Sequence, residues 1–148
     1  MNIATEISNG HVLLAQRLPG VRKFMLIGSA SYMPEQAKDV DFAVLLDEGL
    51  NAMEFTSRMA AKASNGWQLC GEYDLDKGTW AAVRKGKLNL MITHDRVFYE
   101  RYLVATEVCK VLKLTNKGQR IAVCKIVRDG MSADEAKHYL NTPEDDEL

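Results

Sequence analysis

Residues 26–46 read LIGSASYMPEQAKDVDFAVLL. An apolar run, residues 24–27, stops at Gly28-Ser29, and nine residues further on Asp39-Val40-Asp41 opens a second apolar run that lasts to Leu46. Both runs are short, apolar and bounded by turn residues, which predicts two buried strands. Asp39 and Asp41 stand at i and i+2. In a strand they share one face, about 6.5–7 Å apart at the backbone. Carboxylates that close repel, and without a cation one is driven toward protonation. A divalent ion with a preference for oxygen, Mg²⁺ or Mn²⁺, removes that penalty. Gly28 allows a close backbone approach to a phosphate, and Ser29 supplies a hydroxyl and an N–H. A bare Asp-x-Asp or Gly-Ser is usually a solvated strand end. Here the combination and its spacing carry the information.

Outward from this stretch, residues 3–17 carry apolar points at helical spacing, and Leu18-Pro19-Gly20 ends them. Residues 29–38 read as a loop or short helix. Residues 50–63 form a further helical pattern that Asn65-Gly66 closes. Residues 67–70, 79–83 and 87–93 read as strands. GEYDLDKG, residues 71–78, is an acidic turn, and Arg84-Lys85-Gly86 a second turn. From Asp95 onward the pattern is helical. Phe98, Tyr102, Ala105, Val108, Cys109 and Leu112 form one apolar face. A helix follows at residues 120–127, and Ser132-Ala-Asp-Glu135 is a capping box for another. The expectation is one α/β domain (α+β in its segregation of elements). Its core covers residues 20–95 and its helical extension 96–141, with an acidic tail at 142–148.

Composition narrows the function classes. The chain has 148 residues, 47% hydrophobic and 26% charged, which suits one ordinary globular domain. Its formal charge is −1, which disfavours a general nucleic-acid binder. No apolar run is long enough to span a membrane, and the N-terminus lacks signal-peptide character. Three widely spaced cysteines and three histidines make neither a disulfide framework nor a metal-ligand spacing. The expected setting is cytoplasmic.

The order apolar residue, Gly28, Ser29, nine residues, Asp39-Val40-Asp41 resembles the DNA polymerase β-like nucleotidyltransferase superfamily over residues 24–93. RKGKLNLMITHDRVFYERYLVATEVCKVLKL, residues 84–114, is similar to small phage-encoded members of it. The resemblance implies a nucleotidyltransferase-like mixed sheet flanked by helices. It implies that Gly28 and Ser29 bind nucleotide phosphates and that Asp39 and Asp41 hold Mg²⁺ or Mn²⁺. The implied reaction moves a nucleoside monophosphate from an NTP to a hydroxyl, with pyrophosphate leaving. The acceptor, whether RNA, protein or small molecule, and the oligomeric state stay open. Lys117 and Arg120, at the start of a C-terminal helix, fall where such proteins often place phosphate-binding basic residues; a helix-surface role fits them equally.

One position departs from the family pattern. Active members carry a third carboxylate on a neighbouring strand, and alternation in residues 87–93 puts Asn89 in that place. Asparagine can lend a carbonyl oxygen to a metal but brings no charge and no carboxylate base. Asp95, Glu72, Asp74, Asp76 and His94 are substitutes, each more often an ordinary surface residue. Two functions therefore follow: a metal-dependent nucleotidyltransferase using Asp39, Asp41 and Asn89, or a catalytically degenerate fold that binds a nucleotide or a protein and regulates. Arg84, Lys85 and Lys87 form a basic knot beside the site, as phosphate contacts or as a solvated turn. Trp80 and Tyr73 read as core and turn residues rather than base-stacking platforms. VRDGMSADEAKHYL, residues 127–140, has a minor helix-turn-helix reading.

Overall fold

A computed structural model describes residues 2–73 and 78–143. The chain separates into two compact units, Met1–Tyr99 and Glu100–Leu148.

The first unit begins with α1 (Ile3–Val12), capped by Asn2, whose side chain accepts from the N–H groups of Ala4 and Thr5. A π-helical turn, Leu13–Arg17, extends it. β1 (Val21–Ile27) follows, then the single-turn α2 (Ser29–Tyr32) and β2 (Val40–Leu46). α3 (Ala52–Ala61) is capped by Asn51, whose side chain accepts from the Glu54 N–H. β3 (Gln68–Tyr73), β4 (Trp80–Lys85) and β5 (Leu88–Thr93) complete the sheet.

The five strands run in the order β1-β2-β5-β4-β3. β2 and β5 are parallel and the other pairs antiparallel. The sheet is therefore mixed, with β2 and β5 at its centre, and these two are its most completely buried strands. Val40, Phe42, Val44, Leu46, Leu88, Leu90 and Ile92 alternate onto one face and form the core with Leu14, Ala52, Met59 and Trp67. α1 and α3 pack on that side. The opposite face receives Asp41, Ala43 and Leu45 from β2 and Asn89, Met91 and Thr93 from β5. Ala43, Leu45, Met91 and Thr93 are buried as well. Asp41 and Asn89 thus stand at one end of a face that is otherwise buried in the two central strands.

The mixed α/β class read from the sequence is the class found, with helices flanking the sheet and further helices at the C-terminus. Three boundaries moved. β3 runs on through Gly71, Glu72 and Tyr73, where an acidic turn is predicted. The second predicted turn is one residue shorter and lies later: Arg84 and Lys85 belong to β4, and Gly86-Lys87 alone connect it to β5. Gly86 takes a positive φ of 60°, which such a tight connection demands. β1 also begins earlier than its apolar run, because Val21 and Lys23 pair with Leu46 and Leu45.

α4 (Arg96–Val111) leads into the second unit, which holds α5 (Lys117–Val127), α6 (Ala133–Ala136) and a 3₁₀ turn, Lys137–Asn141. Along α4, Ala105 and Cys109 are buried as the apolar face predicts, whereas Leu112 is exposed because the helix ends at Val111. Gly118 lets α5 meet the 3₁₀ turn directly. A Cβ there would lie 2.5 Å from the Leu140 carbonyl oxygen. Ser132 caps α6: its Oγ accepts from the Glu135 N–H at 3.2 Å and its hydroxyl donates to the Glu135 carboxylate at 2.9 Å.

Candidate functional site

Sheet register builds the site. Asp41 pairs with Ile27 of β1 on one side and with Asn89 of β5 on the other, and Asn89 pairs with Arg84 of β4. Asp41, Asn89 and Arg84 therefore stand in one row across three strands, on one face, with Gly28 following Ile27 at the row's end.

The side chains connect along this row. Arg84 Nε donates to Asn89 Oδ1 at 2.6 Å, and Asn89 Nδ2 donates to Asp41 Oδ1 at 2.7 Å. An arginine is donor-only, so it must face the amide oxygen, and the amide nitrogen is thereby turned to Asp41. A second arm of Arg84 lies 3.5 Å from Asp39 Oδ2. The two acids are tied to the same guanidinium–amide bridge. Both ion-pair partners are about a third exposed, Arg84 at 39% and Asp39 at 34% of their side chains, so the pair is open to solvent and to ligands.

Gly28 closes the row. Its φ of +67° is a conformation L side chains avoid, and a Cβ on it would stand 2.7 Å from Asp41 Oδ2. Glycine is required here both by the backbone and by the carboxylate lying against it. The turn is held by Ser31, whose hydroxyl donates to the Gly28 carbonyl at 2.9 Å. Ser29 opens α2 and its carbonyl accepts from the Met33 N–H at 2.7 Å. The sequence argument gave the hydroxyl to Ser29 and missed Ser31, whose role needs the one-turn geometry of α2.

Of the predicted residues, Gly28, Asp39, Asp41 and Asn89 come together, with Ser29 next to Gly28. Lys117 and Arg120 belong to the second unit, on the first turns of α5. Among the substitutes for a third carboxylate, His94 and Asp95 have structural work. His94 Nδ1 accepts from the Ala52 N–H at 2.9 Å and so tops α3. Asp95 accepts from the N–H groups of Val97 and Phe98 and so caps α4. The Glu72 side chain, Asp74 and Asp76 lie outside the described residues, as does the Tyr73 side chain. Trp80 stacks on Phe98 at 5.5 Å and 10°, an intramolecular use of its ring. Lys85 lies over Trp67 on the other face, leaving Arg84 as the basic-knot residue that enters the row.

In the second unit, the residues of the helix-turn-helix reading make an internal cluster. Arg128, with a side chain 9% exposed, donates twice to Asp129 and lies over the Tyr102 ring. Burial works against the charge of Arg128, but its bonds to Asp129 and its surroundings raise its pKa further. Burial likewise opposes ionisation of Asp129, and Arg128 and Lys125 more than offset it, so its carboxyl titrates below the usual range. Burial pushes the Cys109 thiol up to about 11, with Cys124 nearby adding to the shift.

The donor set accommodates a magnesium-type ion only in a particular way. Mg²⁺ keeps several waters and needs one or two protein carboxylates, the rest coming from substrate phosphates. Asp39 and Asp41 meet that requirement. Asn89 does not add to it, since its oxygen is held by Arg84 and its nitrogen faces Asp41. Among the described residues no group of three or more acids, histidines or cysteines is arranged to hold a metal. No helix among them is long and apolar enough to cross a membrane. No protein-family model and no curated protein matches the chain.

Proposed function

We propose that this protein is a nucleotidyltransferase-like domain that binds a nucleotide with a divalent ion and does not transfer it. Gly28 and Ser29 would receive phosphate oxygens, and Asp39 and Asp41 would hold Mg²⁺ or Mn²⁺. The ion, when bound, neutralises the carboxylates and bridges them to the phosphates.

One observation supports binding without turnover: Asn89 occupies the strand position paired with Asp41, its oxygen accepting from Arg84 and its nitrogen donating to Asp41. Nucleotidyl transfer needs a base to take the proton of the attacking hydroxyl. An amide has no basic oxygen to offer, and this one directs an N–H at the remaining acid. The glycine turn and the two acids that the resemblance invokes lie beside Asn89, which supports a binding role. A regulator that senses or sequesters a nucleotide fits that combination, and an active transferase with an unidentified acceptor is the alternative.

The test is equilibrium binding of α-labelled ATP, GTP, CTP and UTP with MgCl₂. Retention by the wild type and loss by at least about tenfold in the Asp39→Asn/Asp41→Asn double variant is the expected result. Equal retention by both proteins, or none by either, contradicts the proposal.

A further inference from the structure

We infer that Arg84 is a placeholder cation, which occupies the metal position of the Asp39–Asp41 pair in the resting protein and yields it to a divalent ion. The inference rests on the nucleotide-binding reading above and assigns a role to a residue that reading does not use.

Three features of the row carry it. First, each acid already has an oxygen engaged by a donor of the chain itself: Asp39 Oδ2 by Arg84, and Asp41 Oδ1 by Asn89. Arg84 also holds the amide that holds Asp41, so one guanidinium controls both acids. Second, the arm of the latch on Asp39 is loose, so it opens first, ahead of the Arg84–Asn89 and Asn89–Asp41 bonds of 2.6 and 2.7 Å. Arg84 and Asp39 are 39% and 34% exposed, and their separation of 3.5 Å is that of a loose pair. Exposed ion pairs contribute little to stability and exchange readily with water. Third, the charges match an exchange. The carboxylates of the row repel a bare triphosphate. An ion arriving alone meets engaged oxygens. An ion arriving with phosphates takes over the carboxylates and offers the displaced guanidinium a bidentate phosphate partner. Metal and nucleotide then assist each other's binding by the same factor.

Two readouts on the full chain test this. Mn²⁺ binding is followed through the electron paramagnetic resonance signal of the free ion, with MnCl₂ as the only ligand. Arg84→Met and Arg84→Gln are expected to bind at least about tenfold more tightly than wild type. Arg84→Lys, which keeps the charge but loses the fork to Asn89, is expected to gain affinity too, which a purely long-range charge effect would not produce. The second readout is the Arg84 Nε–H resonance, identified by its disappearance in Arg84→Lys. It is expected to leave its Asn89-bonded position when MgCl₂ and a mixture of the four NTPs are added. Equal Mn²⁺ affinity in wild type and all three variants overturns the inference, and so does an unmoved Nε–H resonance in nucleotide-bound protein. Tighter Mn²⁺ binding by the variants with no nucleotide bound by the wild type upholds the placeholder and removes the nucleotide reading instead.

Discussion

At the scale of single residues, the row depends on Gly28 as much as on its charged members. Gly28→Ala introduces a Cβ 2.7 Å from Asp41 Oδ2 at a φ of +67°. A cost of about 1–3 kcal/mol is expected in chemical denaturation, together with weaker metal binding because Asp41 must move. Gly10→Ala provides a contrast away from the site. Its Cβ would clash with the Phe42 ring, so a loss of about 1–3 kcal/mol is expected with metal affinity unchanged. Asp39 lies in the bend before β2 rather than in the strand, and Arg84 is what ties it to the row; the position of Asn89 was legible from the alternation of its strand. Arg84 was not legible as a partner. Three basic or flexible residues in succession read as a turn, and only the two-residue connection at Gly86-Lys87 brings Arg84 into register with Asn89.

At the scale of elements, two polar residues that looked like spare catalytic groups turn out to anchor helices. His94 reaches Ala52, 42 residues away in sequence, and no local pattern announces such a contact. Ala52 is fully buried, so His94→Ala strands an N–H. A loss of about 1–3 kcal/mol in thermal or urea unfolding is expected. Asp95→Ala removes the acceptor for two N–H groups of α4 and is expected to cost about 0.5–2 kcal/mol. The strands and long helices were readable because apolar runs, alternation and capping residues agree along them. The boundaries that moved are those set by pairing: β1 was extended by its partner β2, and β3 continued into a segment whose composition reads as a turn.

At the scale of the whole molecule, the sheet unit and the helical unit have separate polar centres, and each predicts its own behaviour. In the helical unit the Asp129 carboxyl is held below the ordinary value by Arg128 and Lys125. A depressed folded-state pKa stabilises above the unfolded value, about pH 4, and that contribution fades as pH falls through the folded value. Asp129→Asn should therefore flatten the acid limb of the stability profile below about pH 4, read by circular dichroism. The mixed α/β class was legible because strand and helix patterns occupy different parts of the chain. The sequence starts the helical extension at residue 96, and the two units divide at Tyr99, within α4. The central claim is that the site of Gly28, Asp39 and Asp41, with Asn89 in place of a carboxylate, binds a nucleotide without transferring it, and label transfer tests it most directly. Wild-type protein and Asn89→Asp are incubated with the four α-labelled NTPs, MgCl₂ or MnCl₂, and a lysate containing RNA and protein. The account predicts retained nucleotide but no transferred label with wild type, and transfer only where the carboxylate has been restored. Label transferred by wild type, and lost in Asp39→Asn/Asp41→Asn, would contradict it and make the protein an active transferase.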